Sequence, residues 1–141
     1  MPLYFSYGAN MSREEMASRC PGAEAQGVAL LRGWRFVISG DGWASIERRP
    51  GSTVHGVLWE LALGHVRALD RYEGVQRGWY EKVHMPIARP GGGGRALVYI
   101  GTNRTQGRPN PSYFNGVVLP AARAWGLPEV YVAELESWNR R

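Results

Sequence analysis

The chain has 141 residues, a length that suits one domain with one substantial hydrophobic core. Hydrophobic residues make up 44% of it and charged residues 21%, which excludes an intrinsically disordered protein. The net charge of +5 and the pI near 9.8 raise the question of nucleic-acid binding, but the arginines are scattered and form no basic helix or run. We therefore expect no nucleic-acid partner, and a basic pocket for a small carboxylate ligand explains the charge equally well.

Apolar segments and cysteine content indicate the compartment. No apolar run approaches the roughly 20 residues of a transmembrane helix, so no membrane partner is expected. The start of the chain lacks the basic and apolar regions of a signal peptide, and the single cysteine, Cys20, fits a reducing cytosol. We expect one domain over residues 1–141 in the cytoplasm. A homodimer is compatible with this sequence and is not decided by it.

The first half of the chain predicts strands and two short helices. Residues 3–6 form a strand pattern that breaks at Gly8, and Ser12 with Glu15 predicts a capping box for a helix over residues 12–19. Four further strands are expected over residues 28–31, 34–39, 43–47 and 54–61, with interruptions at Gly33 and at residues 50–52. A helix over residues 66–73 follows.

The second half predicts a hairpin and then helices. Strands over residues 80–88 and 95–101 are joined by a glycine run, which lacks the Gly-Lys-Ser/Thr ending of a phosphate loop. A helix from Ser112 to Trp125 should be kinked or split by Pro120, and a last helix should run from Pro128 to Trp138. The irregular alternation of strands and helices predicts an α+β fold rather than a doubly wound sheet.

Glu73 stands out because it is a carboxylate on an apolar helix face. Val66, Leu69 and Glu73 are spaced i, i+3 and i+7, which places them on one side of the helix. Burial and the nearby helix C-terminus, which Gly74 marks, both disfavour the charged form and predict a raised pKa. Such a glutamate suits general acid/base chemistry. The alternative is a side chain that bends out to solvent or pairs with Arg77.

A second candidate site is the turn Tyr7-Gly8-Ala9-Asn10, where a strand runs almost directly into a helix. Gly8 allows close approach of a ligand to the backbone, and Asn10 tolerates left-handed conformations. Exposed N–H groups of such a turn form an anion-binding concavity that suits a carboxylate or a developing oxyanion. The alternative is an ordinary connection between a strand and a helix.

Other common site types are not indicated. His55, His65 and His84 are isolated from one another and from carboxylates or cysteines at ligand spacing, so no metal site is expected. The chain has no Gly-x-Ser-x-Gly motif, and Cys20 has no evident base nearby in sequence. Glu73 is thus left without a protein nucleophile, which suits a reaction whose substrate brings its own.

In combination, these segments closely resemble the gamma-glutamylcyclotransferase family. The resemblance covers nearly the whole chain in order and is carried by residues 4–11 (YFSYGANM), 56–59 (GVLW), 69–75 (LDRYEGV), 78–80 (GWY), 102–103 (TN), 111–114 (PSYF) and 126–131 (GLPEVY). It implies a single-domain small mixed β-barrel flanked by helices. It also implies release of 5-oxoproline from gamma-glutamyl compounds without a cofactor.

The resemblance also implies roles for particular residues. Glu73 matches the family's catalytic glutamate, the backbone of the Tyr7–Asn10 turn matches its substrate cradle, and Tyr80 and Tyr131 match tyrosines that line or close its pocket. The chain departs from the family at Ala9, where serine is commonest, and at Pro120. The leaving amine stays open between an amino acid, a polyamine, a lysine from a cross-link and an antibiotic intermediate. A non-catalytic binding module for an acidic metabolite or peptide end is the alternative function.

Overall fold

The computed structural model describes residues 2–141, which build a closed five-stranded barrel. The strands, in barrel order, are β1 (Leu3–Ser6), β3 (Ala44–Glu60), β2 (Glu24–Ile38), β4 (Tyr80–Arg89) and β5 (Gly92–Gly101). Neighbouring strands are antiparallel except β1 and β5, which are parallel and pair at Tyr4 and Leu97. The barrel is therefore mixed, and helices flank it, which confirms the predicted fold class.

The strands β2 and β3 are longer than the sequence pattern predicted. Arg32 pairs with Thr53 and Trp34 pairs with Arg48, so Gly33 faces an irregular stretch of β3 that contains Pro50. Gly33 has a φ of +86°, as expected for a bulge that only glycine forms without strain. The prediction that strands end at these two positions was wrong, because the two irregularities lie opposite each other and bend one continuous ribbon.

The helices occupy the predicted regions with one change of form. Their bounds are α1 (Arg13–Arg19), α2 (Leu63–Tyr72), α3 (Pro111–Tyr113), α4 (Leu119–Ala124) and α5 (Glu129–Glu136), with 3₁₀ turns at Ala9–Met11, Val75–Arg77 and Ser137–Arg140. Ser12 Oγ accepts a hydrogen bond of 3.3 Å from the Glu15 N–H and so caps α1 as predicted. The helix expected to be split at Pro120 contains a π-helical segment, Phe114–Val118, that runs directly into α4. Pro120 is the second residue of α4, so the irregularity lies just before the proline, which lacks a backbone N–H.

The core fills the barrel and continues beneath the helices. Phe5, Phe36, Leu58 and Leu69 are fully buried, and Trp138 closes the core near the C-terminal end. Within residues 2–141, no helix is long and apolar enough to span a membrane. The barrel positions the end of β1, the end of α2 and the start of α3 around one cavity.

Candidate active site

A cavity of about 440 Å³ opens beside the turn that follows β1. Its lining is mainly aromatic, and the full set is Tyr4, Phe5, Tyr7, Gly8, Ala9, Asn10, Asp41, Trp43, Ala44, Tyr72, Glu73, Trp79, Tyr80, Tyr99 and Tyr113. Three predicted parts of the site therefore line the same cavity, although they are far apart in sequence: the Tyr7–Asn10 turn, Glu73 and Tyr80. A volume of this size suits a small molecule.

Glu73 lies at the C-terminal end of α2, on the same face as the fully buried Leu69. Its N–H donates a 2.8 Å hydrogen bond to the Leu69 carbonyl, and Gly74 follows with a φ of +65°, the expected left-handed residue after a helix. The half-buried side chain lines the cavity. In the described part of the chain its carboxylate has no ion pair, and Arg77, the alternative partner, lies over the Trp79 ring at 5.1 Å.

The environment of Glu73 favours its protonated form. Burial raises the pKa of this carboxyl from 4.5 to about 7, and the charge of Arg19 opposes the rise only in part. Arg19 is engaged elsewhere, since its Nη1 and Nη2 donate 2.8 Å hydrogen bonds to Asn10 Oδ1 and Glu15 Oε1. Glu73 can therefore hold or release a proton near neutral pH, as the sequence analysis expected.

This pKa shift predicts that Glu73 lowers stability at alkaline pH. Between pH 4.5 and 7 the carboxyl ionises in the unfolded chain but keeps its proton in the folded one, so the free energy of unfolding falls as pH rises and then levels off. At about 1.4 kcal/mol per pKa unit, Glu73→Gln should gain about 3 kcal/mol of stability at pH 8 and about 1 kcal/mol at pH 5. Urea unfolding at both pH values measures this gain. Equal effects of the substitution at the two pH values would contradict it.

The turn after β1 lines the cavity. Met11 N donates to the Gly8 carbonyl at 3.1 Å, which closes the 3₁₀ turn, and the buried Asn10 side chain anchors it by donating to the Tyr4 hydroxyl at 3.1 Å. Among residues 2–141, the N–H groups of Gly8 and Asn10 have no protein acceptor. Such N–H groups are suited to bind a carboxylate or an oxyanion.

Tyrosine hydroxyl groups surround the turn and Glu73. The Tyr7 hydroxyl donates to the Tyr99 carbonyl, and the Tyr80 hydroxyl donates to the Ala44 carbonyl at 2.6 Å. Burial raises the pKa of both hydroxyls well above the ordinary value of 10, so both stay protonated at neutral pH. The cavity therefore offers neutral hydrogen-bonding groups beside its single half-buried carboxyl.

Tyr113 is a cavity residue that the sequence analysis missed. Its hydroxyl accepts a 3.3 Å hydrogen bond from the Ala44 N–H and lies so close to Gly8 that a Cβ there would be 3.0 Å away. Gly8 is therefore needed for space rather than for a positive φ. The available signal was the segment 111–114, which carries the family resemblance but was not interpreted as part of the site.

Tyr131 is the one predicted site residue that the structure does not bring to the cavity. It lies on α5, is buried, and packs its ring at 4.7 Å from the ring of His55 on β3. Its hydroxyl has no hydrogen-bond partner among the described residues. Tyr131 is not among the residues that line this cavity, because its ring packs against His55 on β3 instead, and a role in closing the pocket stays a prediction.

The cavity lining is acidic, whereas the net charge of the chain suggested a basic pocket. Within the described residues, its lining contains the carboxylates Asp41 and Glu73 and no lysine, arginine or histidine. The idea that the net charge of +5 marks a basic pocket was therefore wrong, because the arginines lie outside this lining. The hydrogen-bond donors that the described lining offers to an anionic group are therefore uncharged ones.

Comparison with known proteins assigns the chain and its fold to a class. Residues 53–135 match the model of the AIG2-like family. The gamma-glutamylcyclotransferases of Mus musculus and Homo sapiens are each 30% identical to the chain over 146 residues, covering 96% of this chain and 77% of theirs. A solved gamma-glutamyl cyclotransferase superposes with a TM-score of 0.89 at 28% identity, covering 96% of this chain and 86% of that one.

The barrel and its carboxyl-bearing cavity thus define an enzyme of the cyclotransferase class. The chain belongs to the AIG2-like, gamma-glutamylcyclotransferase family. This confirms the family resemblance drawn from the sequence.

Proposed function

We propose that the protein is a cofactor-independent gamma-glutamyl cyclotransferase that releases 5-oxoproline and a free amine. The observation that carries the proposal is the meeting of Glu73, whose carboxyl has a pKa of about 7, with the donor turn at residues 7–10 in one cavity. The names of the relatives at 30% identity support the same reaction class. A cytoplasmic location and a homodimer stay predictions.

The reaction is an internal cyclisation. The alpha-nitrogen of the substrate attacks the carbonyl carbon of its own gamma-amide, so that a carbon–nitrogen bond closes a five-membered ring and the amide bond to the leaving nitrogen breaks. Two protons leave the alpha-ammonium nitrogen, because the ring nitrogen of 5-oxoproline keeps only one hydrogen, and both end on the leaving nitrogen, which departs as an ammonium group. The two products together contain all the atoms of the substrate, so the stoichiometry requires no oxidant, reductant or water.

Glu73 would carry these two protons one at a time. In its ionised form it accepts a proton from the alpha-ammonium group, and in its neutral form it delivers a proton to the leaving nitrogen. A pKa of about 7 makes both forms accessible near neutral pH. One acid/base group suffices because the nucleophile is already attached to the electrophile, and such proximity replaces a bimolecular encounter.

The turn at residues 7–10 would bind the negatively charged groups of the substrate and of the transition state. The free N–H groups of Gly8 and Asn10 are available for the alpha-carboxylate of the substrate or the oxyanion that forms at the gamma-carbon. Within the described residues no cation belongs to the cavity lining, so we assign the donation to these N–H groups and to the Tyr113 hydroxyl, which accepts from the Ala44 N–H and keeps its own proton free. Fixed dipoles of this kind stabilise developing charge without reorganising.

A panel of gamma-glutamyl amides tests the proposal. We expect 5-oxoproline from amides of amino acids or amines, and none from the same amides with an acetylated alpha-nitrogen, because acylation removes the nucleophile. Chromatographic detection of 5-oxoproline measures both. If no unblocked amide is converted while circular dichroism shows folded protein, the proposal fails.

A binding module is the alternative because Ala9 lines the cavity without the hydroxyl that serine would supply. Thermal stabilisation by 5-oxoproline or glutamate derivatives, without product from any amide, would favour that alternative.

A further inference from the structure

We infer that the leaving amine carries a second, positively charged group, as in an aliphatic diamine, and that Asp41 and Trp43 bind this charge at the cavity mouth. The inference rests on the proposed function, since it names the class of amine released. It follows from the charge of the lining, the fixed position of Asp41 and the exposed ring of Trp43.

The cavity contains a carboxylate that the cyclisation does not use. Glu73 is half-buried beside the donor turn, whereas Asp41 is exposed. Among the described residues, Asp41 forms no ion pair and no lysine, arginine or histidine lines the cavity. Although the chain has a net charge of +5, the described residues of this lining include carboxyl groups and no basic groups, which favours a cation over an anion.

Asp41 is held in place before any ligand arrives. The Ser39 hydroxyl donates to Asp41 Oδ1, and Asn110 Nδ2 donates to the Asp41 carbonyl at 3.3 Å. The next residue, Gly42, has a φ of +92°, and its carbonyl accepts a hydrogen bond of 3.2 Å from the Asn110 N–H. Among residues 2–141 no donor reaches Oδ2, so a ligand ammonium group would meet a carboxylate that is already ordered.

Trp43 supplies an aromatic surface two residues from Asp41. Its side chain is 43% exposed, lines the cavity, and packs at 4.8 Å against the Tyr113 ring. Two other aromatic residues of the lining already carry arginines, since Arg19 lies 3.6 Å from the Tyr72 ring and Arg77 lies 5.1 Å from the Trp79 ring. Within residues 2–141 no guanidinium lies over Trp43, which leaves its ring available for a ligand cation.

The same arrangement disfavours a leaving group that ends in a carboxylate. Such an anion would approach Asp41 without a cation in the lining to pair with it, and like charges in a cavity repel. Arg19 and Arg77 contact the lining rings of Tyr72 and Trp79, but neither arginine is itself a lining residue, and Arg19 is already bonded to Asn10. The expected order of preference is a cationic, then a neutral, then an anionic terminal group.

Three gamma-glutamyl amides of equal chain length test this order. The amides of 1,4-diaminobutane, n-pentylamine and 5-aminopentanoate differ only in a terminal ammonium, methyl or carboxylate group. We expect kcat/KM for the diamine amide to exceed that for the pentylamine amide by about five- to tenfold. This ratio corresponds to the added free energies of an exposed cation–π contact and an exposed charge pair. The aminopentanoate amide should be the poorest of the three.

The variant Asp41→Asn tests whether Asp41 causes the preference for the diamine amide. Asparagine keeps an oxygen for the Ser39 hydroxyl but removes the charge, so the ratio of diamine to pentylamine should fall towards one. Glu134→Gln is the matched control, because it removes one negative charge from an exposed position on α5 that does not line the cavity. The control should retain the ratio, and melting temperatures verify that both variants are folded.

The outcomes separate this inference from the proposed function. Equal kcat/KM for the diamine and pentylamine amides, or a preference for the aminopentanoate amide, overturns the inference and leaves the cyclotransferase activity standing. An undiminished ratio in Asp41→Asn overturns the assignment to Asp41. Failure of every gamma-glutamyl amide, including those of amino acids, overturns the proposed function and the inference with it.

Discussion

Replacing Glu73 with glutamine is expected to lower kcat for gamma-glutamyl amides by about 10²–10⁴-fold, the usual contribution of a general acid/base. Glutamine has nearly the same shape and fills the same half-buried position, but it cannot exchange a proton. Because the carboxylate forms no ion pair among the described residues, its loss leaves no partner unsatisfied. The folded variant should therefore bind substrate and fail to convert it.

The pH dependence of the reaction distinguishes lost chemistry from lost structure. In the wild-type protein, kcat/KM should rise with pH and reach a plateau above an apparent pKa near 7, because free Glu73 must be ionised to accept the first proton. The residual activity of Glu73→Gln should lack this step. Steady-state rates of 5-oxoproline release between pH 5 and 9 measure both profiles.

Glu134→Gln serves as the control for Glu73→Gln, since it makes the same chemical change at an exposed site outside the cavity lining. It should retain the wild-type rate and pH profile. A fully active Glu73→Gln protein, or one that keeps the wild-type pH step, would remove Glu73 from the acid/base role. Loss of activity together with loss of stability at pH 8 would also speak against it, because the substitution is expected to stabilise the fold there.

Replacing Gly56 with alanine is expected to cost about 3 kcal/mol or more of unfolding free energy. A Cβ at this position in β3 would contact the Ser6 carbonyl and the ring of the fully buried Phe5. The Ser6 carbonyl belongs to the backbone of β1, which cannot move without disturbing its pairing with β3 at Val57. Because the Tyr7–Asn10 turn begins directly after Ser6, activity should fall along with stability.

Gly64→Ala is the matched control for Gly56→Ala. Gly64 lies in the first turn of α2, and a Cβ there would have no atom within 4 Å. Alanine at this position should leave stability unchanged or raise it by up to about 1 kcal/mol, because it is the better helix former. Urea unfolding of both variants measures the difference. Similar stabilities for the two would show that β1 and β3 do not require the close approach at Gly56.

Local features of the chain were predictable where neighbouring residues decide them. Ser12 and Glu15 predicted the cap of α1, and Gly74 predicted the left-handed residue after α2, because capping is settled within one helical turn. The lengths of β2 and β3 were not predictable in this way. Whether Gly33 ends a strand or bulges it depends on the opposing residues of β3, which are distant in sequence.

The sequence by itself determined the α+β class and the family. It also determined the placement of Glu73 on an apolar helix face, because spacing along one helix suffices to orient a side chain. Only the tertiary structure decided what surrounds Glu73. It brought Tyr113 into the cavity, placed Tyr131 against His55, and excluded every lysine, arginine and histidine of the described chain from the cavity lining. The physical reason is that burial, and hence the pKa of Glu73, depends on packing between segments that are close only after the barrel has closed.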